Sequence, residues 1–297
     1  MSAIRTSAPE RAFSAFNYVF MTALCVICLY PIWHVLMASM SDPTLMYAHQ
    51  GLLIWPIWPL NTLGYKLVMT NRLIGSSFVN TLIYLGAGTT LNMFVTTMGA
   101  YGLSRKGLFW NGALMKIIVF TMYFQGGLIP FYLMVKNMGL LNTHAGIILP
   151  VLVSTWNLIV MRTTFAGVSE SLEESARLDG ASDWTILWKI FFPLSQATVA
   201  VIALYYAVYW WNNWFNPSIF LQDRGKYPLQ LLLREILIKN DTQSMTQSSM
   251  VSQEQTSQYR LLVKYCVIII ATAPILAVYP FLQKYFVKGV MIGSVKG

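Results

Sequence analysis

Glu170, Glu173, Glu174, Asp179 and Asp183 fall within one fourteen-residue stretch, and the whole chain holds only eleven carboxylates. Carboxylates do acid–base or metal chemistry when they converge with a nucleophile, a base or further ligands. Here such partners are missing. His34, His49 and His144 stand in three different segments, and no H-E-x-x-H pairing occurs. Cys25 and Cys28 form a C-x-x-C, but they lie in an uncharged apolar run where nothing lowers a thiol pKa, so they read as packing residues. No G-x-x-x-x-G-K-[ST] phosphate loop is present to bind ATP. The sequence thus offers no catalytic constellation, no metal set and no cofactor site. Two features remain. The carboxylate cluster suits pairing with a basic partner, and Tyr209-Trp210-Trp211-Asn212-Asn213-Trp214 sets aromatic faces beside amides, as a sugar ring requires. An interfacial aromatic belt accounts for such rings equally.

What positions these residues follows from composition. The chain has 297 residues, 56% hydrophobic and 10% charged, with a formal net charge of +9. Soluble domains run near ~25% charged, so the main solvent of this chain is lipid. A charge at the centre of a spanning helix costs about 2.5–3.5 kcal/mol on insertion scales, which makes the gaps between charges the measure of the spans. Seven charge-free gaps reach 19 residues or more. The one between Asp42 and Lys66 contains Gly51, Pro56, Pro59 and Asn61, which break a helix. It reads as an extracytoplasmic loop with Trp55 and Trp58 at the interface. The other six predict an all-α integral membrane fold with six transmembrane helices over 15–39, 77–103, 114–135, 143–161, 194–216 and 264–284. Residues 1–297 read as one transmembrane domain.

Six spans place both termini on one side. With the termini inside, the inner segments hold eleven of the twenty basic residues, and most of the outer ones sit in the long fifth loop, which obeys the charge rule least. Both termini are therefore expected in the cytoplasm, with residues 162–193 as a cytoplasmic loop and 217–263 as an extracytoplasmic one. The singly scattered Lys and Arg suit anionic lipid headgroups better than nucleic acid. Arg5 and Arg11 precede the first apolar run, but its length exceeds the roughly 7–15 residues of a signal h-region, so it is expected to stay as an anchor. The stretch Asn240 to Gln258 is rich in Ser, Thr and Gln and is expected to be mobile unless a partner orders it.

The inner loop reads as two short helices. Ser169 or Ser171 can cap the first, Gly180 ends it, and Ser182 starts a second that carries Trp184, Ile186, Leu187, Trp188, Ile190 and Phe191 up to Pro193. A simpler account makes Ser171 and Glu174 a capping box and lets the other carboxylates solvate the loop. Yet Glu174-Ser175-Ala176, Gly180, Ile190 and Pro193 stand at the offsets of E-A-A-x3-G-x9-I-x-L-P. The segment resembles the loop of binding-protein-dependent ABC importer permeases, with Ser175 and Phe192 departing from the usual alanine and leucine. Asn80-Thr81, Ala100-Tyr101-Gly102-Leu103-Ser104-Arg105-Lys106 and Tyr279-Pro280-Phe281-Leu282-Gln283-Lys284-Tyr285-Phe286 are similar to carbohydrate-class permeases of the maltose type. Within that class, Gln125-Gly126-Gly127-Leu128-Ile129-Pro130 and Leu178-Asp179-Gly180-Ala181 resemble the group that imports acidic oligosaccharides such as alginate or pectin fragments.

That resemblance implies a type I importer permease in the bacterial inner membrane. Its implied partners are a similar second permease, two cytoplasmic ATPase subunits that bind the ATP, and an external solute-binding protein. It further implies that the first loop helix docks on the ATPase. Glu174 would meet a basic group there, with Ser175 beside it, Ala176 packing closely, Asp179 bracing the turn and Gly180 making it. For the substrate path the sequence singles out Gln125, Trp210 and Asn213, with Lys136, Arg224, Lys226 and Lys264 as outer cations for a charged substrate. Other polar residues inside the spans, including Asn80, Asn92 and Ser154, suit bonding between helices. No span carries a central ionisable residue, and no paired broken helices are visible, which weighs against the alternative of an ATP-independent carrier or channel.

Overall fold

The structure, a computed structural model, describes residues 8–105, 107–238 and 253–294, and among them every regular element is a helix. Arg5, Lys106, Lys296 and residues 240–252 of the Ser/Thr/Gln-rich stretch lie outside the described residues. In chain order the helices are α1 (Ala8–Ser39), α2 (Pro43–Ala48), α3 (Leu63–Thr70), α4 (Arg72–Ser104), α5 (Asn111–Tyr123), α6 (Leu128–Asn137) and α7 (His144–Val151). They continue with α8 (Thr155–Ala166), α9 (Glu170–Leu178), α10 (Asp183–Leu194), α11 (Gln196–Asn212), α12 (Phe215–Phe220), α13 (Leu229–Ile238) and α14 (Gln253–Ser294).

The expected spans 15–39 and 77–103 fall in continuous helices long and apolar enough to cross a bilayer, Pro9–Ser39 and Arg72–Ser104, and residues 264–278 of the expected span 264–284 fall in a third, Tyr259–Val278, beyond which α14 continues to Ser294. Two expected spans are broken. Span 114–135 is α5 and α6 meeting at 113°, and span 143–161 is α7 and α8 meeting at 50°. The causes are local. Gly127 takes φ +84, a conformation that glycine adopts without steric cost, in the Gln125-Gly126-Gly127 link. Pro150 has no N–H to extend a helix, so α7 tightens into a 3-10 turn at Leu149–Val151 and Ser154 restarts the chain as the extended cap of α8. The expected span 194–216 shortens to α11, whose 17 residues rise about 26 Å. An 88° bend at Ser195, two residues after the Pro193 where this span is expected to begin, separates it from α10.

The described residues of the expected outer loop 217–263 are largely helical. They include α12, a 3-10 turn at Arg224–Lys226 and α13, which buries Leu229, Leu231, Leu232, Leu233 and Ile236. One face of α4 pins its start. Asn80 Nδ2 donates to the carbonyls of Gly225 (2.7 Å) and Tyr227 (3.2 Å), Tyr84 donates its hydroxyl to the Lys226 carbonyl (3.0 Å), and Thr81 Oγ1 accepts from Leu229 N–H (2.8 Å).

The chain divides into two compact units. The first runs to Asn71 and adds Ile236–Ala273. Its small core is Met37, Ala38, Met46 and Leu53 with Tyr265 against them, and α3 approaches Leu262 and Cys266 so closely that a Cβ on Gly64 would meet Cys266 Sγ at 2.7 Å. Trp55 and Trp58 stand exposed, and Cys25 and Cys28 are free and exposed on α1. The second unit, Arg72–Glu235 with the chain from Pro274, holds two apolar clusters. One gathers Tyr101, Met161, Phe165, Ile186, Phe191 and Ile202 beside the 162–193 loop. The other gathers Tyr84, Val135, Ile147, Trp210, Phe220 and Leu221 beside the 217–228 segment.

Candidate functional site

The helix α9 is built to stand out from the bundle. Its start carries Glu170 and Glu173 and its end Arg177, the polarity that a helix dipole favours. Gly180 at φ +79 lets the chain reverse, and two backbone bonds close the turn: Gly180 N–H to the Arg177 carbonyl (3.0 Å) and Ala181 N–H to the Ala176 carbonyl (2.9 Å). Asp179 is the cap residue, its N–H bonded to the Ser175 carbonyl at 3.0 Å. The capping box between Ser171 and Glu174 does not form. The helix begins at Glu170, which leaves Ser171 inside the first turn, where its hydroxyl pairs with that of Ser169 (2.8 Å).

The two faces of α9 differ. Glu174, Ser175 and Asp179 are exposed, and Leu178, one turn after Glu174, is 89% exposed. Leu178 is thus an apolar side chain left in solvent beside a carboxylate, a position that the sequence alone does not single out. Ala176 lies on the opposite face, half-buried against the chain's own cluster of Phe165, Ile186 and Phe191.

That opposite face is tied to the end of α4. Glu173 forms an ion pair with Arg105, whose guanidinium also lies over the rings of Phe191 (4.3 Å) and Tyr101 (5.0 Å) and donates to Ser104 Oγ (2.9 Å). Glu173 also accepts from Arg177 (3.0 Å), Arg177 pairs with Asp183, and Tyr101 donates its hydroxyl to Asp183 (3.4 Å). The hydrogen bond to Glu173 and the charge of Asp183 raise the Arg177 pKa above its ordinary value. Beyond this network Ser182 caps α10 by accepting from Thr185 N–H (3.3 Å), and Ile186, Leu187 and Phe191 bury themselves in the bundle. α9 is thus tied to the end of α4 through Arg105 and Glu173, and the chain runs from it through α10 into α11.

The three path residues fare differently. Gln125 is exposed in the link between α5 and α6. Trp210 is 1% exposed and packs on Gly88, where a Cβ would meet the indole at 2.3 Å, so it belongs to the core and offers no open wall. Asn213 is 9% exposed, and its Nδ2 has no hydrogen-bond partner.

Burying Trp210 completes a clamp that the sequence does not announce. Trp210 Nε1 donates to Asn92 Oδ1 (2.7 Å), and Asn92 Nδ2 donates to the carbonyls of Val151 (2.8 Å) and Leu152 (2.7 Å). One turn along each helix, the Thr96 and Tyr206 hydroxyls are bonded at 2.7 Å, and the Tyr206 hydroxyl accepts from Ser154 N–H (3.1 Å). The backbone groups freed at the break between α7 and α8 are thus taken by Asn92 and Tyr206. In a carrier such groups face the transported ion. Among the described residues, no group of three or more His, Cys, Asp and Glu side chains is placed to hold a metal.

Comparison with known proteins agrees with this architecture. Residues 113–292 match the family described as binding-protein-dependent transport system inner membrane component. The chain is 38% identical to a polygalacturonan/rhamnogalacturonan transport system permease protein, YtcP of Bacillus subtilis, over 97% of this chain and 99% of that one. It is 37% identical to protein LplC of the same organism, over 97% and 96%. Its fold superposes with a TM-score of 0.86, at 30% identity and over 96% of this chain and 100% of the other, on a chain from a bacterial ABC transporter involved in the import of the acidic polysaccharide alginate.

Proposed function

Because the chain belongs to the family of binding-protein-dependent transport system inner membrane components, we propose that it carries acidic oligosaccharides across the bacterial inner membrane, driven by ATP hydrolysis that reaches it through α9. The observation that carries this reading is the exposed Glu174 and Leu178 on a helix whose other face is fixed to α4 by Arg105 and Glu173. A loop that receives force must be stiff on one side and accessible on the other.

In this reading α9 and both termini face the cytoplasm, and two ATPase subunits meet Glu174, Ser175 and Leu178, with Asp179 and Gly180 holding the turn and Ala176 the packed face. A second permease completes the passage, and a solute-binding protein delivers the sugar. The names of the relatives point to anionic polysaccharides, polygalacturonan and alginate, and so to a uronate-bearing oligosaccharide as the cargo. Coupling to an ion gradient is disfavoured because Asn92 and Tyr206 occupy the backbone groups at the break between α7 and α8.

The test uses the complete importer, purified with its ATPases and binding protein. Glu174→Ala and Leu178→Ala should each lower ligand-stimulated ATP hydrolysis about tenfold, the scale expected for losing a charge-assisted contact or a buried apolar side chain at an interface. The amount of complex in the membrane should not change. Full stimulation in both variants refutes the assignment of α9.

A further inference from the structure

The segment Tyr209 to Trp214 suggested a sugar contact, and the structure consigns part of it to packing: Trp210 and Trp211 are both buried. Its last ring, Trp214, is only half-buried and carries Arg234, whose guanidinium carbon stands 3.8 Å from the ring centroid. Arg234 is exposed on α13, a helix that otherwise buries most of its side chains. The neighbouring Glu235 does not neutralise it, because that carboxylate pairs with Arg224 at 3.2 Å. Among the described residues no carboxylate pairs with Arg234, whereas Arg105 holds one and Arg177 two.

A guanidinium at stacking distance from an indole keeps its N–H edge free, and the ring holds the plane in one orientation. That edge matches a carboxylate in the bidentate geometry that arginine favours. Next to Trp214 in the chain, Asn213 has an amide nitrogen with no acceptor, and a buried donor left unmade costs about 1–3 kcal/mol. A hydroxyl of an entering ligand can supply that acceptor once this end of α11 opens.

We propose that Arg234, laid on Trp214, recognises the carboxylate of a uronate residue in the transported oligosaccharide. This rests on the reading of the chain as an importer of acidic oligosaccharides, and it moves the expected contact from Trp210 to the far end of the same segment. Lysine at this position would keep the charge and lose the two-pronged geometry.

The experiment measures equilibrium binding of radiolabelled trigalacturonate to the complete importer in phosphatidylcholine nanodiscs without binding protein. Carboxyl-reduced trigalacturonate, a neutral trisaccharide, serves as the second probe. The wild type should bind trigalacturonate at least about tenfold more tightly than Arg234→Gln, with Arg234→Lys between them and Trp214→Leu weakened, and the neutral sugar should not distinguish wild type from Arg234→Gln. Equal trigalacturonate binding by wild type and Arg234→Gln, an equal loss for both sugars, or an effect seen only when anionic lipid is added overturns the proposal; the last would make a lipid phosphate the occupant. Hydrolysis of ATP stimulated by trigalacturonate-loaded binding protein is measured in parallel. If stimulation persists while the binding difference is absent, only the Arg234 contact fails. If the wild type shows no stimulation, the acidic-oligosaccharide reading fails with it.

Discussion

Asn92 accepts the indole N–H of Trp210 across 2.7 Å while its own amide nitrogen bonds the Val151 and Leu152 carbonyls, so a single side chain joins α4, α11 and the break between α7 and α8. The break can exist inside an apolar bundle only because its carbonyls are satisfied this way. Asn92→Leu keeps the branched shape but strands one donor and two acceptors, each buried polar group costing about 1–3 kcal/mol. Thermal unfolding of the purified complex should report a clear loss of stability. Trp210→Phe should cost less, since it removes the donor rather than orphaning it. The double variant should be less destabilised than the sum of the singles, because the two side chains share one bond. Strict additivity would show that the bond contributes nothing.

Gly180 gives a cleaner case, because its surroundings impose nothing. A Cβ there meets no atom within 4 Å, so only the backbone conformation at φ +79 resists substitution. Gly180→Ala should therefore cost about 1 kcal/mol of local stability, and Gly180→Asn less, since asparagine tolerates the left-handed region better. Hydrogen exchange at Asp179, Gly180 and Ala181, whose N–H groups close the turn, measures this directly. Faster exchange in the alanine variant than in the asparagine variant is the expected order, and the reverse order would mean that packing rather than backbone strain governs the turn.

What is legible in the sequence is set mainly by where charge falls. Six apolar runs stand out because charge in lipid is expensive, and the 162–193 loop stands out because it concentrates charge and turn residues. The breaks within 114–135 and 143–161 are silent to that measure, since Gly126, Gly127 and Pro150 are as neutral as leucine. α13 reads as loop in the sequence because its apolar side chains are covered only once Asn80, Thr81 and Tyr84 fix the chain at and before its start. Trp210 and Trp214 look alike in a string of aromatics, and their different burial follows from the end of α11 at Asn212, after which an extended Asn213 takes Trp214 off the helical face that buries Trp210. Arg105 and Glu173 lie 68 residues apart, so no local period announces their pairing.

That last pair supports the sharpest test of force transmission. Arg105 and Glu173 are mostly shielded from solvent, with 19% and 14% of their side-chain surfaces exposed, so removing one partner leaves a poorly solvated charge. Such breaks cost up to about 3–5 kcal/mol when burial is complete, and less here because Arg177 still pairs with Glu173. Arg105→Gln should loosen α9, seen as faster proteolysis within 162–193, and should lower ligand-stimulated ATP hydrolysis although Arg105 is expected to touch neither ATPase nor sugar. Glu173→Gln should do the same at least as strongly, since it leaves the shielded Arg105 on the rings of Phe191 and Tyr101 without its carboxylate and leaves Arg177 only Asp183. The exchange Arg105→Glu with Glu173→Arg should recover part of the coupling, limited by the lost stacking and by the new arginine facing Arg177. If either single variant protects the loop from proteolysis or leaves stimulation at the wild-type level, α9 is not held by this pair and force must enter the bundle through α10 alone.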